Sequence, residues 1–146
     1  MSNSSNLLTL MVKDHCKIEE LINAFEKNIE KDTPSVAESF NKFEWTLEKH
    51  IFIEEKAIFT SYNPEDIIEG YKMLPELTKQ HNILLNKLNL MRNDIRNNRS
   101  ISDITSFKEF LLNHKNFEEK NVYPKLNESL DNQQKKIIIE KINEII

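Results

Sequence analysis

Apolar side chains recur at alternating steps of three and four residues along most of this chain, which is the spacing of one buried helix face. Between residues 7 and 29 the stripe consists of Met11, Ile18, Ile22, Phe25 and Ile29, with His15 in the same register. A stripe of this width is typical of a helix that packs in a bundle. The pattern therefore predicts a first helix over residues 7–29.

Four further helices follow from the same spacing. They are predicted over about residues 34–61, 74–97, 102–123 and 132–146, with a short connecting helix over about 64–73. The third of the five long helices is expected to begin at Leu74 or Pro75. Pro34 is a favourable first helical residue behind the cap residue Thr33, and residues 97–100 have the composition of a turn. Pro124 is expected to stop or kink the fourth helix. Asp131 and Gln134 have the spacing of an N-terminal capping box.

These elements predict an all-α fold in one domain of 146 residues. The expected architecture is an up-down-up-down four-helix bundle over about residues 7–123, with the C-terminal helix on its outside. A single glycine argues against a turn-rich β fold. The net charge of −4, with no basic stripe, argues against nucleic acid as a partner, and no segment reaches the roughly 18 apolar residues of a membrane span. One cysteine and an N-terminus without a signal-peptide pattern favour a cytoplasmic protein.

Histidine and glutamate replace apolar residues at six positions of the stripes. These positions are His15, His50, Glu54, His81, His114 and Glu118. The pairs His50–Glu54 and His114–Glu118 are four residues apart, so each pair lies on one helix face. At about 1.5 Å of rise per residue, distances from the predicted turns place all six at nearly the same level of the bundle. Buried groups of this kind are unfavourable unless they have partners, and the pattern therefore predicts a metal site in the core.

Four imidazoles and two carboxylates suit iron, manganese or zinc better than calcium or magnesium, which prefer oxygen ligands. Two ions fit this set, with Glu54 and Glu118 as bridges between them. His15 and His50 are then expected on one ion and His81 and His114 on the other, which leaves an open position for a small ligand. Glu19, Glu55 and Glu119 are candidates to hydrogen-bond around this set, with a charged surface role as the alternative. Tyr123 is expected to reach the edge of the site, with packing beside Pro124 as the alternative.

The chain resembles the hemerythrin-like family, the HHE cation-binding domains. The resemblance is carried by Asp14–His15, HIFIEEKAIF from His50, KQHNILL around His81 and HKNFEEKNVYPKL from His114. It covers most of the chain. It implies a helical bundle that holds two iron ions joined by an oxo or hydroxo bridge, with manganese and zinc as alternatives.

The sequence departs from the oxygen-carrying hemerythrins at two points. Those carriers have a second histidine four residues from the first on helix three, whereas Leu77 and Leu85 stand at these positions here. They also have an HxxxxD motif where this chain has His114 and Glu118 in an HxxxE motif. The resemblance therefore points to the broader group, which includes the di-iron domain of iron–sulfur cluster repair proteins and eukaryotic iron-sensing domains.

Three functions are compatible with these observations. The first is a non-haem di-iron protein that binds or reduces oxygen, peroxide or nitric oxide, with peroxide- or nitric-oxide-handling activity. The second is an iron- or oxygen-sensing module, or an iron-binding module, that acts through a partner protein. The third is a structural bundle in which the histidines only satisfy one another.

Overall fold

The computed structural model describes residues 3–29, 33–58, 68–101 and 104–145, and every regular element within them is helical. The α-helices are α1 (Asn3–Asn28), α2 (Thr33–Ile53), α3 (Ile68–Arg96), α4 (Ile104–Phe117), α5 (Tyr123–Ser129) and α6 (Asn132–Ile145). Two π-helical turns, Glu54–Ile58 and Glu118–Val122, extend α2 and join α4 to α5. The all-α class is thereby confirmed.

The start of the third helix differs from the prediction. α3 already begins at Ile68 and continues through Pro75, so residues 68–73 belong to it and not to a separate connecting helix. The rest of the expected connecting helix, and the end of the second helix after residue 58, lie outside the described residues. The prediction failed because it treated the proline as a helix start, although a helix can contain a proline where neighbouring packing compensates for the lost hydrogen bond.

Pro124 does not stop the fourth helix. The chain passes from α4 through the second π turn directly into α5, where Pro124 is the second residue. The backbone N–H of Tyr123 donates to the carbonyl of Glu118, five residues back. After the π turn the backbone returns from hydrogen bonds across five residues to the α-helical pattern across four. Pro124 lies at this transition, and because it has no N–H it requires no hydrogen bond there.

Two local predictions are confirmed. Asn98 adopts the left-handed conformation with φ of 54°, and the N–H of Arg99 donates to the carbonyl of Asp94, which is the hydrogen bond of a Schellman motif. At the start of α6, the N–H of Gln134 donates to Asp131 Oδ1 at 2.7 Å, and the N–H of Asp131 donates to Gln134 Oε1 at 2.9 Å. This reciprocal pair is a capping box.

The helices pack around two hydrophobic clusters. α1 contacts α2, α4 and α6, α2 contacts α3, and α3 contacts α4, which is consistent with a helical bundle. One cluster is built around Phe25, Phe40 and Phe43, and the other around Leu77, Val122 and Ile138. All six predicted ligand residues are also buried, with exposed fractions between 0 and 5%. The core therefore consists of two apolar clusters and a buried layer of six polar side chains.

The C-terminal helix contributes to this core. Ile138 and Ile142 of α6 are buried in the same cluster as Leu7, Met11 and Ile53. α6 contacts α1 and the first π turn, so it covers the bundle beside the polar layer. In the described part of the chain, no helix is both long and apolar enough to cross a membrane.

Candidate metal centre

Each HxxxE motif ends at the first residue of a π turn. Glu54 opens the first turn and Glu118 opens the second. The histidine four residues earlier is on the preceding α-helix, so both members of each pair face the core. His50 Nε2 lies 3.0 Å from Glu54 Oε1, and His114 Nε2 lies 3.1 Å from Glu118 Oε1. Isolated π turns inside helices occur frequently at functional sites.

The two remaining histidines complete the layer from α1 and α3. His15 Nε2 lies 3.2 Å from Glu118 Oε1 and 3.1 Å from the Nε2 atom of His50. His81 Nε2 lies 3.3 Å from Glu54 Oε1. The structure therefore brings all six residues together at one level, as the distances along the sequence predicted.

Every histidine of this layer is held from outside through its Nδ1 atom. The outer partners are Glu119 for His15 (2.9 Å), Asp14 for His50 (2.5 Å), Glu55 for His81 (3.2 Å) and Gln80 for His114 (2.6 Å). A carboxylate can only accept, so Nδ1 is the protonated nitrogen and the Nε2 lone pair faces the centre. Metal-binding histidines usually donate their second ring N–H to an outer acceptor in this way.

The inward-facing atoms are not satisfied by one another. Among the described side chains, Glu54 Oε1, Glu118 Oε2 and His114 Nε2 are buried without a hydrogen bond of acceptable geometry. Such groups are rare in folded proteins and often indicate a bound ion. Two nitrogens bound to one ion at about 2.1 Å and about 90° apart are separated by about 3.0 Å. The 3.1 Å between the Nε2 atoms of His15 and His50 fits this arrangement.

Within the described residues, two sets of ligand atoms lie close enough to hold an ion. Glu54, His81, His114 and Glu118 form one set, and His15, His50 and Glu118 form the other, with the ligand atoms of each set within 4.8 Å of one another. Glu118 belongs to both sets. The geometry therefore provides two overlapping sets of metal-ligating atoms that have one carboxylate in common.

When no metal is bound, burial and the charges of neighbouring groups determine which residues of the layer carry a proton. Burial disfavours a charged His50, but the charge of Glu54, the hydrogen bond to Asp14 and the close approach of the Glu118 and Glu54 carboxylates raise the pKa of His50 well above 6.5. Burial would raise the pKa of Glu54, yet the charge of His50 and the close approach of Glu118, His50 and His81 hold it well below 4.5. Burial and the charge of Glu54 raise the pKa of Glu118 well above 4.5. In the absence of a metal, these effects favour a proton on His50 and on Glu118 and a negative charge on Glu54.

The pKa values of His15 and His114 are lowered, which favours the neutral form of both. Burial, followed by the charge of His50, lowers the pKa of His15. Burial lowers the pKa of His114 to about 3, opposed by the charge of Glu54 and assisted by the positive charge that His50 can carry. Neutral imidazoles are the form that binds metal, so these two ligands are ready without loss of a proton.

Tyr123 brings a hydroxyl into the layer. Its O–H donates to Glu54 Oε2 at 3.2 Å and lies 3.1 Å from His15 Nε2, and its ring stacks on that of His15. Burial and the charges of Glu54 and Glu118 raise the pKa of Tyr123 well above 10, so the hydroxyl keeps its proton. Of the four residues expected around the ligands, Tyr123, Glu55 and Glu119 contact them directly.

Glu19, the fourth, lies at the edge of the site. Its carboxylate accepts a hydrogen bond from Lys115 Nζ at 3.1 Å. Both residues line a cavity of about 20 Å³ that reaches His15, His50 and His114. The other walls are apolar and consist of Ile18, Leu47, Ile51, Leu111 and Leu112. Space of about 10–15 Å³ holds one water-sized molecule, so the cavity has room for about one such molecule beside the histidines.

Two contacts of the layer were not foreseen. Asp14 and Gln80 hold His50 and His114, yet neither was selected as a site residue from the sequence. Each comes immediately before a lone histidine, so the dipeptides Asp14–His15 and Gln80–His81 were the available signal. Their side chains reach the histidine of the neighbouring helix and not their own, and a helical pattern does not contain that information.

The comparison with protein families agrees with this geometry. The family model described as hemerythrin HHE cation binding domain matches residues 6–126. No curated protein and no solved structure matched the chain. The family match spans all six core ligand candidates and both π turns, and a His/Glu cluster suited to a metal lies at its centre. This chain belongs to the hemerythrin HHE cation-binding domain family.

Proposed function

We propose that the protein is a non-haem di-iron protein that binds or reduces a small ligand, such as oxygen, peroxide or nitric oxide, inside an up-down-up-down four-helix bundle. One observation carries this proposal. The buried layer contains four imidazoles whose Nδ1 atoms are held from outside, with Nε2 atoms directed towards the carboxylates of Glu54 and Glu118. His15 and His50 would bind one ion, His81 and His114 the other, and Glu54 and Glu118 would lie between them.

The donor set is compatible with iron. Imidazole nitrogens and carboxylate oxygens bind iron well, and manganese and zinc share these ligands. When bound, a pair of iron ions supplies Lewis acidity and electrons for binding or reducing a small molecule. The family description itself names only cation binding.

The protein's own residues would orient and protect this chemistry. The outer acceptors Asp14, Gln80, Glu55 and Glu119 fix the rotation of the four rings. Tyr123 presents a neutral O–H beside Glu54, from which a hydrogen bond can be given to a ligand in the layer. The two hydrophobic clusters exclude bulk water from both sides.

The cavity beside the layer supports a small ligand. It is bounded by three of the histidines and by apolar residues such as Leu47 and Leu111, and the Glu19–Lys115 ion pair at its edge is internally neutralised, so the cavity favours an uncharged molecule over a hydrated ion. Its volume of about 20 Å³ is too small for an organic substrate of ordinary size. Oxygen, nitric oxide and peroxide satisfy both conditions.

The test is the metal content of the purified protein, with optical spectra recorded before and after addition of azide, peroxide and nitric oxide. We expect two irons per chain and a spectrum that responds to at least one of the three ligands. A protein that takes up no iron while keeping its helical content would refute the metal centre. Two irons with no response to any ligand would refute ligand chemistry alone.

A second function, an iron-sensing module, is favoured by the position of the polar layer. Six ionisable groups, each at most 5% exposed, lie within a hydrophobic core, where such groups are unfavourable unless they have partners, and a bound metal would be such a partner. Metal binding to such a layer contributes directly to folding. Removal of iron should then cause a large loss of protease resistance and of helical circular dichroism. Equal protease resistance of the metal-free and iron-loaded forms would exclude this function.

A further inference from the structure

The four outer hydrogen bonds of the layer differ in charge. In the pair His15–His50 both rings donate to carboxylates, those of Glu119 and Asp14. In the pair His81–His114 one ring donates to Glu55 and the other to the neutral amide of Gln80. Each pair supplies two imidazoles. Glu118 belongs to both ligand sets, and Glu54 Oε1, although grouped with His81 and His114, lies 3.0 Å from His50 Nε2 and 3.3 Å from His81 Nε2, so both carboxylates are within reach of both positions. The two halves of the site therefore differ by one negative charge in direct contact with a ligand ring.

The orientation of the Gln80 amide is fixed by a second contact. Its Nε2 atom donates to Glu76 Oε1 at 3.2 Å, so its Oε1 atom faces His114 and accepts the hydrogen bond of 2.6 Å. The amide is therefore an acceptor for His114, as Asp14 is for His50. Asp14 and Gln80 thus both accept a hydrogen bond from a histidine, and they differ in that only Asp14 is charged.

A carboxylate acceptor increases the electron density that imidazole offers to a metal. Asp14 Oδ2 lies 2.5 Å from His50 Nδ1, a length typical of a strong, charge-assisted hydrogen bond. An amide carbonyl carries only a partial negative charge and stabilises the positive metal less. Changes in such outer partners typically alter metal affinity by about 10- to 100-fold.

More distant charges oppose this difference only weakly. Lys13, Lys17 and Lys49 line the cleft beside Asp14, and Glu76 adds a negative charge behind Gln80. Lys13, Lys17 and Glu76 are exposed, so solvent screens their effect on the ions. Asp14 itself is 24% exposed and contacts the ligand ring directly. The direct hydrogen bond is therefore the larger effect.

We propose that the two metal positions are unequal, and that the carboxylate of Asp14 makes the ion at His15 and His50 the more tightly bound of the two. This inference rests on the proposed di-metal function. The ion at His81 and His114, whose His114 is held only by an amide, is the position that fills second and exchanges first.

The experiment uses Co²⁺ alone as the probe, added stepwise to metal-free protein and followed by its visible spectrum and by hyperfine-shifted proton resonances of the bound histidines. We expect two binding steps that differ in affinity by about 10- to 100-fold. His81→Gln should keep the tight step and lose the weak one, and His15→Gln should do the reverse. Two equal steps in the unmodified protein would overturn the inference, whereas no Co²⁺ binding would overturn the proposed function itself.

A pair of exchanges tests the assigned cause. Asp14→Asn should weaken the tight step by about tenfold, and its matched control Glu20→Gln, which removes one exposed charge from the same helix, should leave both steps unchanged. The double variant Glu76→Gln/Gln80→Glu exchanges the two side chains. It keeps the net charge and the hydrogen bond between positions 76 and 80, and it places a carboxylate in place of the amide beside His114. It should strengthen the weak step by about tenfold, a gain that misfolding does not produce. An unchanged weak step in this variant would refute the role of the outer charge.

Discussion

His15 and His50 place their Nε2 atoms 3.1 Å apart while the Nδ1 atom of each donates to a carboxylate. With both outer hydrogen bonds made, two lone pairs converge unless a proton or a cation lies between them. In the metal-free protein the raised pKa of His50 supplies that proton. A bound cation would replace it, so metal uptake should release protons, as is general for histidine ligands.

Glu118 is expected to matter for both ions. It belongs to both sets of converging ligand atoms, so Glu118→Gln should lower the metal content from two ions per chain to at most one. Glutamine keeps the volume of the side chain, and the helical circular dichroism should therefore remain. Metal analysis after dialysis measures the effect. Glu109→Gln, an exposed residue of α4, is the matched control and should keep both ions; full metal content in Glu118→Gln would contradict the shared role.

Tyr123→Phe removes one hydroxyl and keeps the stacked ring. The loss of the hydrogen bond to Glu54 Oε2 should cost about 1 kcal/mol in the free energy of unfolding, without changing the number of bound ions. The optical spectrum of the iron-loaded protein and its rate of reaction with peroxide should both change, because the hydroxyl lies within the layer. Identical spectra and rates in the two proteins would show that the hydroxyl has only a structural role.

Leu112→Phe should narrow the cavity that leads to the histidines. Leu112 is partly exposed and lines this cavity, so a larger side chain can be accommodated without overfilling the core. We expect slower association of nitric oxide with the iron-loaded protein, measured by stopped-flow absorbance, at unchanged metal content. Leu90→Phe, at a position that is 64% exposed, is the control and should bind nitric oxide at the original rate. An unchanged rate in Leu112→Phe would place the ligand's route elsewhere.

His114 should make the metal-free fold sensitive to acid. Its pKa is about 3 in the folded protein against an ordinary value of 6.5, so only the unfolded chain takes up this proton between these pH values. The contribution of His114 to stability is complete above pH 6.5 and is lost as the pH falls towards 3. Relative to His114→Gln, the free energy of unfolding should decrease by about 1.4 kcal/mol per pH unit in this window.

Urea denaturation of the two metal-free proteins at several pH values tests this dependence. The comparison with His114→Gln is needed because the raised pKa values of His50 and Glu118 act in the opposite direction in the unmodified protein. These groups are present in both proteins, so their effects largely cancel. Parallel stability curves between pH 6 and 4 would show that His114 is protonated in the folded state.

Much of the architecture could be predicted because helical spacing is a local property. The alternation of three and four residues identified the buried face of each helix, and the capping box of Asp131 and Gln134 formed as predicted. The start of α3 was misjudged because Pro75 was treated as a boundary. Proline weakens a helix only by a few kcal/mol, which tertiary packing can offset.

Tyr123 shows where helical spacing fails. In a regular α-helix, the residue five positions after Glu118 would point about 140° away from it, at about 100° per residue. The π turn places Tyr123 one full turn above Glu118, through a hydrogen bond across five residues. The hydroxyl consequently reaches Glu54 and His15.

The sequence by itself determined the chemical composition of the site, because the six ligand candidates occupy positions that helical periodicity directs inward. Only the tertiary structure decided which outer side chain holds which histidine. Asp14 contacts His50 and Gln80 contacts His114 across helix boundaries, and Glu55 and Glu119 hold the lone histidines in the same way. Contacts between helices depend on their relative rotation and height, which are set by the packing of the whole core and not by the spacing within any one helix.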